Sequence, residues 1–235
     1  MLNKNTMQKI KRIALEIDWE RSFAGRAKGN RHLFRMVKLA VWMASKLRAN
    51  IPIVEAAAWL HDIALPSGND YNYAANKQAA MAVLKRLQLP ARERVTIAAC
   101  VASHEGTGPM RTLEAKIVHD ADVLEKSGIL GIIRHTWKVS HGEGAEMDES
   151  AVERILHHVR WRATRLQTRL AKNMHAYVTV PLSALQAKKL VLLVALKATR
   201  GLTTEKIARA LLATLSAKQK AKLQEQLTLT YLKRF

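Results

Sequence analysis

Cysteine is nearly absent from this chain of 235 residues, and the single one, Cys100, cannot form a disulfide within the chain. This absence excludes an internal disulfide and is typical of a reducing compartment. Long hydrophobic runs are also missing, since the longest, residues 190–196, is far too short to span a bilayer. No apolar segment follows Met1, where lysine and arginine recur, so no signal peptide is predicted. We expect a cytoplasmic protein with no membrane among its partners.

Acidic residues are scarce as well, because 19 Asp and Glu stand against 39 Lys and Arg, for a net charge of +20. The excess is uneven. Residues 1–50 carry a net charge of +9 and residues 151–235 a net charge of +14, whereas residues 51–150 carry −3. Basic flanks of this kind attract polyanions such as nucleotides or nucleic acid, although a solvated basic surface without a dedicated partner gives the same pattern.

Strand signals are nearly missing too, since they are confined to residues 177–180, which are too few for a sheet. Apolar residues recur instead at helical spacing, as at Leu39, Met43 and Leu47. Hydrophobic residues make up 49% of the chain and charged residues 25%, which is typical of a globular protein. The sequence therefore predicts an all-α fold. Helices are expected at about 31–47, 52–61, 76–87, 90–104, 113–127, 150–174, 182–200, 203–215 and 216–235.

Local signals mark several of the predicted boundaries. Ser216, followed three residues later by Gln219, resembles a capping box at the start of the last helix. Turn chemistry predicts loops at residues 66–70 and 142–144. Gly128 and Gly131 are predicted to be points where helices pack closely.

The most informative feature that the chain does contain is a histidine next to an aspartate at the end of an apolar run. His61 and Asp62 directly follow the apolar residues 56–60, where a buried polar pair needs something to compensate its polarity. Imidazole and carboxylate together suit a divalent metal such as Mn, Fe, Ni or Zn. His32 supplies a further candidate ligand upstream.

A second acidic segment lies downstream, at residues 119–122. Its two aspartates, Asp120 and Asp122, are two residues apart, so on a helix they point about 200° away from each other. Only one of them can readily reach the same metal, and the spacing alone does not choose between them.

The ordered set His32, His61-Asp62 and Ala121-Asp122 resembles the H…HD…D signature of the HD-domain metal-dependent phosphohydrolases, an all-helical family. The segments 57–63 and 114–124 strengthen the resemblance, and residues 128–132 are similar to the small bacterial branch that includes nucleotide hydrolases. The resemblance covers roughly residues 26–137. Together with Pro181, the best boundary candidate in the C-terminal part, it predicts an HD-like helical bundle over residues 1–175 and a basic helical C-terminal extension over residues 176–235.

By this resemblance, a divalent metal is held by His32, His61, Asp62 and Asp122. Mn is the preferred ion, with Fe, Co, Ni, Zn or Mg as alternatives. The implied activity is attack of a metal-bound water on a phosphoester or phosphoanhydride bond of a nucleotide, a deoxynucleotide or another phosphorylated small molecule. No histidine occurs between Asp62 and His104, which argues against a two-metal cyclic-nucleotide phosphodiesterase.

Two residues join Asp62 as predicted catalytic residues. Arg35, one helical turn beyond His32, is expected to neutralise phosphate charge with its guanidinium, and the alternative is a surface salt bridge. His104 matches a further histidine that is often found in the same branch. It is expected to donate a proton to a leaving group or to contact phosphate, and the alternative is a cation that favours a helix C-terminus.

A competing function is a nucleic-acid-binding protein or nuclease that uses the basic flanks around an HD scaffold. Its support is the row Arg154, Arg160, Arg162, Arg165 and Arg169 along one predicted helix. Trp161 lies among these arginines and could stack on a base, although a core tryptophan is the alternative. Residues 150–235 are also a candidate oligomer interface, and the oligomeric state is left open.

Overall fold

The computed structural model describes residues 2–142 and 146–235, and within these ranges the protein is all-α with no strand, as predicted. Residues 177 and 178, which carried the strand signal, belong to a helix. Gly142 aside, the predicted loop at 142–144 lies outside the described residues. The α-helices are α1 (Lys4–Glu16), α2 (His32–Lys46), α3 (Ile51–Leu60), α4 (Tyr73–Arg86), α5 (Ala91–Ser103), α6 (Leu113–Glu125), α7 (Gly128–Ser140), α8 (Glu149–Ala163), α9 (Arg169–Val178), α10 (Ala184–Thr199), α11 (Thr204–Leu211) and α12 (Ala217–Thr228).

The chain divides into two compact units. The first comprises Met1–Lys28 and His32–Asp122, and the second comprises Gly29–Arg31 and Val123–Phe235, so the division falls within α6. The predicted domain boundary between residues 175 and 176 stays a prediction. Among the described residues, no helix is both long enough and apolar enough to cross a membrane.

In the first unit, α3 is the central helix and packs against α1, α2 and α5. Its start is capped by Asn50, whose Oδ1 accepts a hydrogen bond from the backbone N–H of Ile53. Residues 53, 54 and 56–60 are buried, and they lie on every side of the helix. Because α3 is surrounded by other helices, the residues at its C-terminal end, His61 and Asp62, are carried into the interior of this unit.

In the second unit, α7 has the central place and packs against α8, α10, α11 and α12. The predicted close packing at Gly131 is confirmed, but against the turn that precedes α7 and not against another helix, because a Cβ atom there would lie 2.1 Å from the carbonyl oxygen of Lys126. The predicted capping box is confirmed as well. Ser216 Oγ accepts a hydrogen bond from the Gln219 N–H, and Gln219 Oε1 accepts one from the Ser216 N–H.

The predicted continuous helix over residues 150–174 is wrong. Helix α8 ends at Ala163, and α9 begins only at Arg169. Thr168 starts the new helix, since its side chain accepts a hydrogen bond from the N–H of Ala171, and such a cap competes with continuation of the preceding helix. Arg162 is buried and donates from Nε to His158 Nε2 at 2.8 Å. Of the five arginines expected on one helix, Arg154, Arg160 and Arg162 therefore lie on α8, Arg165 lies in the connecting turn, and Arg169 begins α9.

Helix α10 exposes part of its apolar surface. Leu190 and Val194 are buried, whereas Leu185, Leu192 and Leu196 are each more than half exposed. The predicted oligomer interface stays a prediction.

Candidate metal centre

Four polar side chains, which we call the first cluster, meet in the first unit. His32 begins α2, His61 and Asp62 follow the last residue of α3, and Asp122 lies on α6. His32 Nε2 lies 3.1 Å from His61 Nε2, and Asp122 Oδ1 lies 3.5 Å and 3.7 Å from these two nitrogens. Asp62 Oδ2 lies 3.1 Å from His61 Nε2 and 3.9 Å from His32 Nε2. All four side chains predicted as metal ligands are thus brought together.

The geometry of the first cluster fits a shared divalent cation. Ligand atoms about 2.0–2.2 Å from a metal stand roughly 3–4 Å apart from one another, as these atoms do. His61 Nδ1 lies 2.9 Å from the carbonyl oxygen of Ala58. Because a carbonyl only accepts, Nδ1 carries the hydrogen, and Nε2 presents its lone pair to the cluster. Imidazole nitrogens combined with carboxylates suit Mn, Fe, Co, Ni or Zn.

The pKa of His61 also indicates a site that favours a cation. Burial by itself disfavours a charged imidazole, but the carboxylates of Asp62 and Asp122 outweigh it, and the pKa of His61 is raised above its ordinary value of 6.5. The cluster is therefore an anionic environment that favours a positive charge on or beside this ring.

Of the two aspartates that the spacing left open, Asp122 is the one that lies in the first cluster. Asp120 is also buried, but two residues earlier on α6 its side chain leaves the helix on another side. The neighbouring His119 donates from Nδ1 to the carbonyl oxygen of His104 at 2.6 Å, which ties α6 to the end of α5.

A second cluster, formed by Asp62, Asp70, His104 and Glu105, adjoins the first. His104 Nε2 lies 3.5 Å from Asp70 Oδ1, 3.6 Å from Glu105 Oε1 and 3.8 Å from Asp62 Oδ1. Burial disfavours the charged form of His104, yet the surrounding carboxylates, Asp70 above all, outweigh it and raise its pKa above 6.5. The predicted catalytic residue His104 thus lies beside the first cluster and is surrounded by acids.

Asp70 and Glu105 were not predicted as site residues. Asp70 ends a segment rich in turn-forming residues, so its sequence context indicates only a loop. In the structure this loop is held by Asn76, whose Nδ2 donates to the carbonyl oxygen of Asp70 at 2.6 Å. The adjacency of Glu105 to His104 was the one available signal for Glu105.

Arg35 follows His32 by one turn of α2 and is only 6% exposed. The alternative of a surface salt bridge is therefore wrong for this residue. Its expected contact with a phosphate group stays a prediction.

Comparison with known proteins agrees with this architecture. A family model described as HD domain matches residues 30–127. Similar solved structures include a Lactobacillus plantarum protein, 23% identical with a TM-score of 0.58, in which the match covers 85% of this chain and 98% of that one. Bacillus subtilis YpgQ is 18% identical with a TM-score of 0.54, covering 85% and 97% of the two chains. YpgQ in complex with ADP is 23% identical with a TM-score of 0.50, covering 70% and 87%.

At these identities the solved structures show a shared fold. No curated protein matches the chain. The matched residues 30–127 contain every member of both clusters.

Proposed function

We propose, from the premise that residues 30–127 of this chain form an HD domain, that the protein is a metal-dependent phosphohydrolase acting on nucleotides or deoxynucleotides. The HD domain supports the coarser statement, a metal-dependent hydrolase. The observation that carries the proposal is the first cluster, in which two buried histidines and two aspartates direct their ligand atoms to one point.

The chemistry that the proposal requires is compatible with these residues. A divalent cation bound there supplies Lewis acidity toward a phosphoryl group and activates water near neutral pH. His61 is held by its hydrogen bond to the Ala58 carbonyl oxygen, which keeps its ligand nitrogen directed into the cluster. Arg35 is expected to neutralise phosphate charge. His104 Nε2 is the candidate proton donor to the leaving group.

Two observations favour a nucleotide as the substrate. The flanks of the HD segment are strongly basic, with net charges of +9 over residues 1–50 and +14 over residues 151–235, and such fields concentrate polyanions. YpgQ, which shares the fold, has been solved in complex with ADP. We also propose Mn as the metal and a cytoplasmic location.

The test is turnover of a panel of nucleoside mono-, di- and triphosphates with added Mn²⁺, with phosphate and pyrophosphate separated as products. Asp62→Ala is run in parallel and is expected to abolish turnover. His157→Ala serves as the matched control, because His157 is an exposed histidine on α8. Turnover that is equal in the Asp62→Ala variant, or absent with every nucleotide, would overturn the proposal.

Nucleic-acid binding is a second candidate function, and one observation favours it. Trp161 is 37% exposed, so the alternative of a core tryptophan is wrong, and the Arg165 guanidinium carbon lies 5.3 Å from its ring centroid. An exposed aromatic ring beside cations suits stacking on unpaired bases. The expected result is single-strand binding that weakens steeply with added salt and is reduced by Trp161→Ala. Absence of binding at low salt would end this interpretation.

A further inference from the structure

We infer that a cavity in the second unit binds a small aliphatic carboxylate, such as a medium-chain fatty acid. The cavity is lined by residues of α7, α8, α9 and α10 and of the connector between α9 and α10, residues 179–183. All of these residues belong to the second unit, and none of them is a member of the first or second cluster. The inference goes beyond the proposed function, because it requires neither a metal nor a nucleotide.

The size of the cavity suits a small organic molecule. Its volume is about 370 Å³, and ligand sites typically have volumes of roughly 300–1,000 Å³. A water molecule takes up about 30 Å³ of the liquid, so the cavity has room for roughly a dozen non-hydrogen atoms of similar size. A saturated carboxylate of about ten carbons matches that number.

The walls of the cavity are aliphatic, since only three of the twelve residues that line it are polar. The larger apolar side chains are Ile132 from α7, Leu156 and Val159 from α8, and Val180 and Leu182 from the connector. Water makes few hydrogen bonds at such walls, so an alkyl chain that displaces it is favoured. None of the residues that line the cavity is Phe, Tyr or Trp, so a nucleobase would find no large ring to stack on.

The polar side chains of the cavity favour an anionic group at one end of the ligand. Arg160 lines the cavity and is exposed, so the cavity reaches the surface at this residue. No hydrogen bond or ion pair joins the Arg160 guanidinium to another described residue. Burial lowers the pKa of His175 below its ordinary value of 6.5, which keeps the ring neutral at pH 7, and its Nε2 lies 3.2 Å from Thr179 Oγ1. None of the residues that line the cavity carries a carboxylate.

One cation and an aliphatic interior together define the class of ligand. A single guanidinium pairs with a single carboxylate through two parallel hydrogen bonds, whereas a nucleoside di- or triphosphate calls for several cations. The carboxylate is therefore assigned to the mouth of the cavity beside Arg160, and the alkyl chain to the aliphatic walls.

The experiment is isothermal titration calorimetry of the full-length chain with saturated carboxylates from hexanoate to tetradecanoate. Each further buried methylene should tighten binding about fourfold until the cavity is filled at about ten carbons, and longer chains should gain nothing more. Absence of binding for every member, or affinity that keeps increasing to the longest chain, would overturn the inference. An affinity without a limit would indicate an open apolar surface instead of a cavity.

A metal-centre variant separates this inference from the proposed function. Asp62→Ala removes a predicted metal ligand and should bind decanoate as tightly as wild type does. Loss of binding in Asp62→Ala would place the carboxylate at the metal and overturn the cavity assignment. Loss of nucleotide turnover has no bearing on it.

Variants of the cavity test its two ends. Arg160→Gln should weaken octanoate binding about fivefold and leave the binding of uncharged 1-octanol unchanged. The matched control is Arg154→Gln, an exposed arginine on the same helix that does not line the cavity. Ala163→Leu and Ala187→Leu, which fill the cavity from α8 and α10, should each weaken decanoate binding about tenfold or more.

Two results with these variants would contradict the inference. Equal affinity of wild type and Arg160→Gln for octanoate would remove the anionic end of the ligand from the cavity mouth. Full decanoate affinity in both alanine variants would place the binding site elsewhere. Circular dichroism and melting curves confirm that each variant is folded, and the use of two filling variants covers the failure of one to fold.

Discussion

In the protein stripped of its metal, the free energy of unfolding should decrease as the pH rises above about 6.5, the ordinary pKa of histidine. In the metal-free protein, neighbouring carboxylates raise the pKa of His61 and of His104 against the opposing effect of burial. Above pH 6.5, both rings therefore keep a proton in the folded state that they have released in the unfolded state. A raised pKa contributes stability that is fully present below the unfolded pKa and is lost as the pH rises through the folded pKa.

The size of this pH dependence follows from the number of protons that the folded state binds in excess of the unfolded state. Each imidazole changes the unfolding equilibrium constant by about tenfold per pH unit between 6.5 and its folded pKa. Asp62 lies beside both rings, so their titrations are coupled, and we expect between one and two protons in total. The unfolding equilibrium constant is therefore expected to increase by between about tenfold and about a hundredfold per pH unit.

The opposite dependence is expected below pH 6.5. Burial, together with neighbouring basic groups, lowers the pKa of His135 to about 2 and that of His158 to about 4, and burial lowers the pKa of His175. The unfolded state then binds more protons than the folded state, so stability falls as the pH falls from 6.5 toward 2. Metal-free protein should accordingly be most stable near pH 6.5.

The assay is denaturant unfolding between pH 5.5 and 8.5, with EDTA in one series and saturating Mn²⁺ in the other. Mn²⁺ should remove the decline above pH 6.5, because the metal replaces the protons. His135→Gln should reduce the decline below pH 6.5 without abolishing it, because His158 and His175 also have lowered pKa values, and it should leave the upper decline unchanged. Metal-free stability that stays constant or increases from pH 6.5 to 8.5 would refute the reasoning.

Three further substitutions test particular residues. Arg35→Ala should lower kcat by about a hundredfold or more with metal content unchanged, as expected for loss of a cation that stabilises charge in the transition state; an unchanged kcat rejects this role. Gly131→Ala should destabilise the protein by up to about 2 kcal/mol, because the cost of overpacking against the Lys126 carbonyl exceeds the gain of about 1 kcal/mol in helix propensity. An unchanged denaturation midpoint would contradict this prediction. Thr168→Ala should cost about 1 kcal/mol in the same assay through loss of the α9 cap, and a cost near zero contradicts that.

Much of the helical framework was predictable because its signals are local. The helix at residues 31–47 has an apolar face at helical spacing, and the observed α2 differs from it by one residue at each end. The capping box at Ser216 and Gln219 depends on residues three positions apart, so no tertiary contact is needed to recognise it. The helix predicted over 150–174 failed because a single threonine cap competes with propensity that is high on both sides.

The sequence by itself determined the pair His61-Asp62 and its place at the end of a helix that is apolar on all sides, and by family resemblance it indicated the other ligands. Only the tertiary structure selected Asp122 over Asp120 on geometric grounds, because the packing of α6 decides which side of that helix faces His32 and His61. It alone brought Asp70 and Glu105 to His104. The physical reason is that local patterns specify secondary structure, whereas the convergence of side chains distant in sequence depends on how the helices pack.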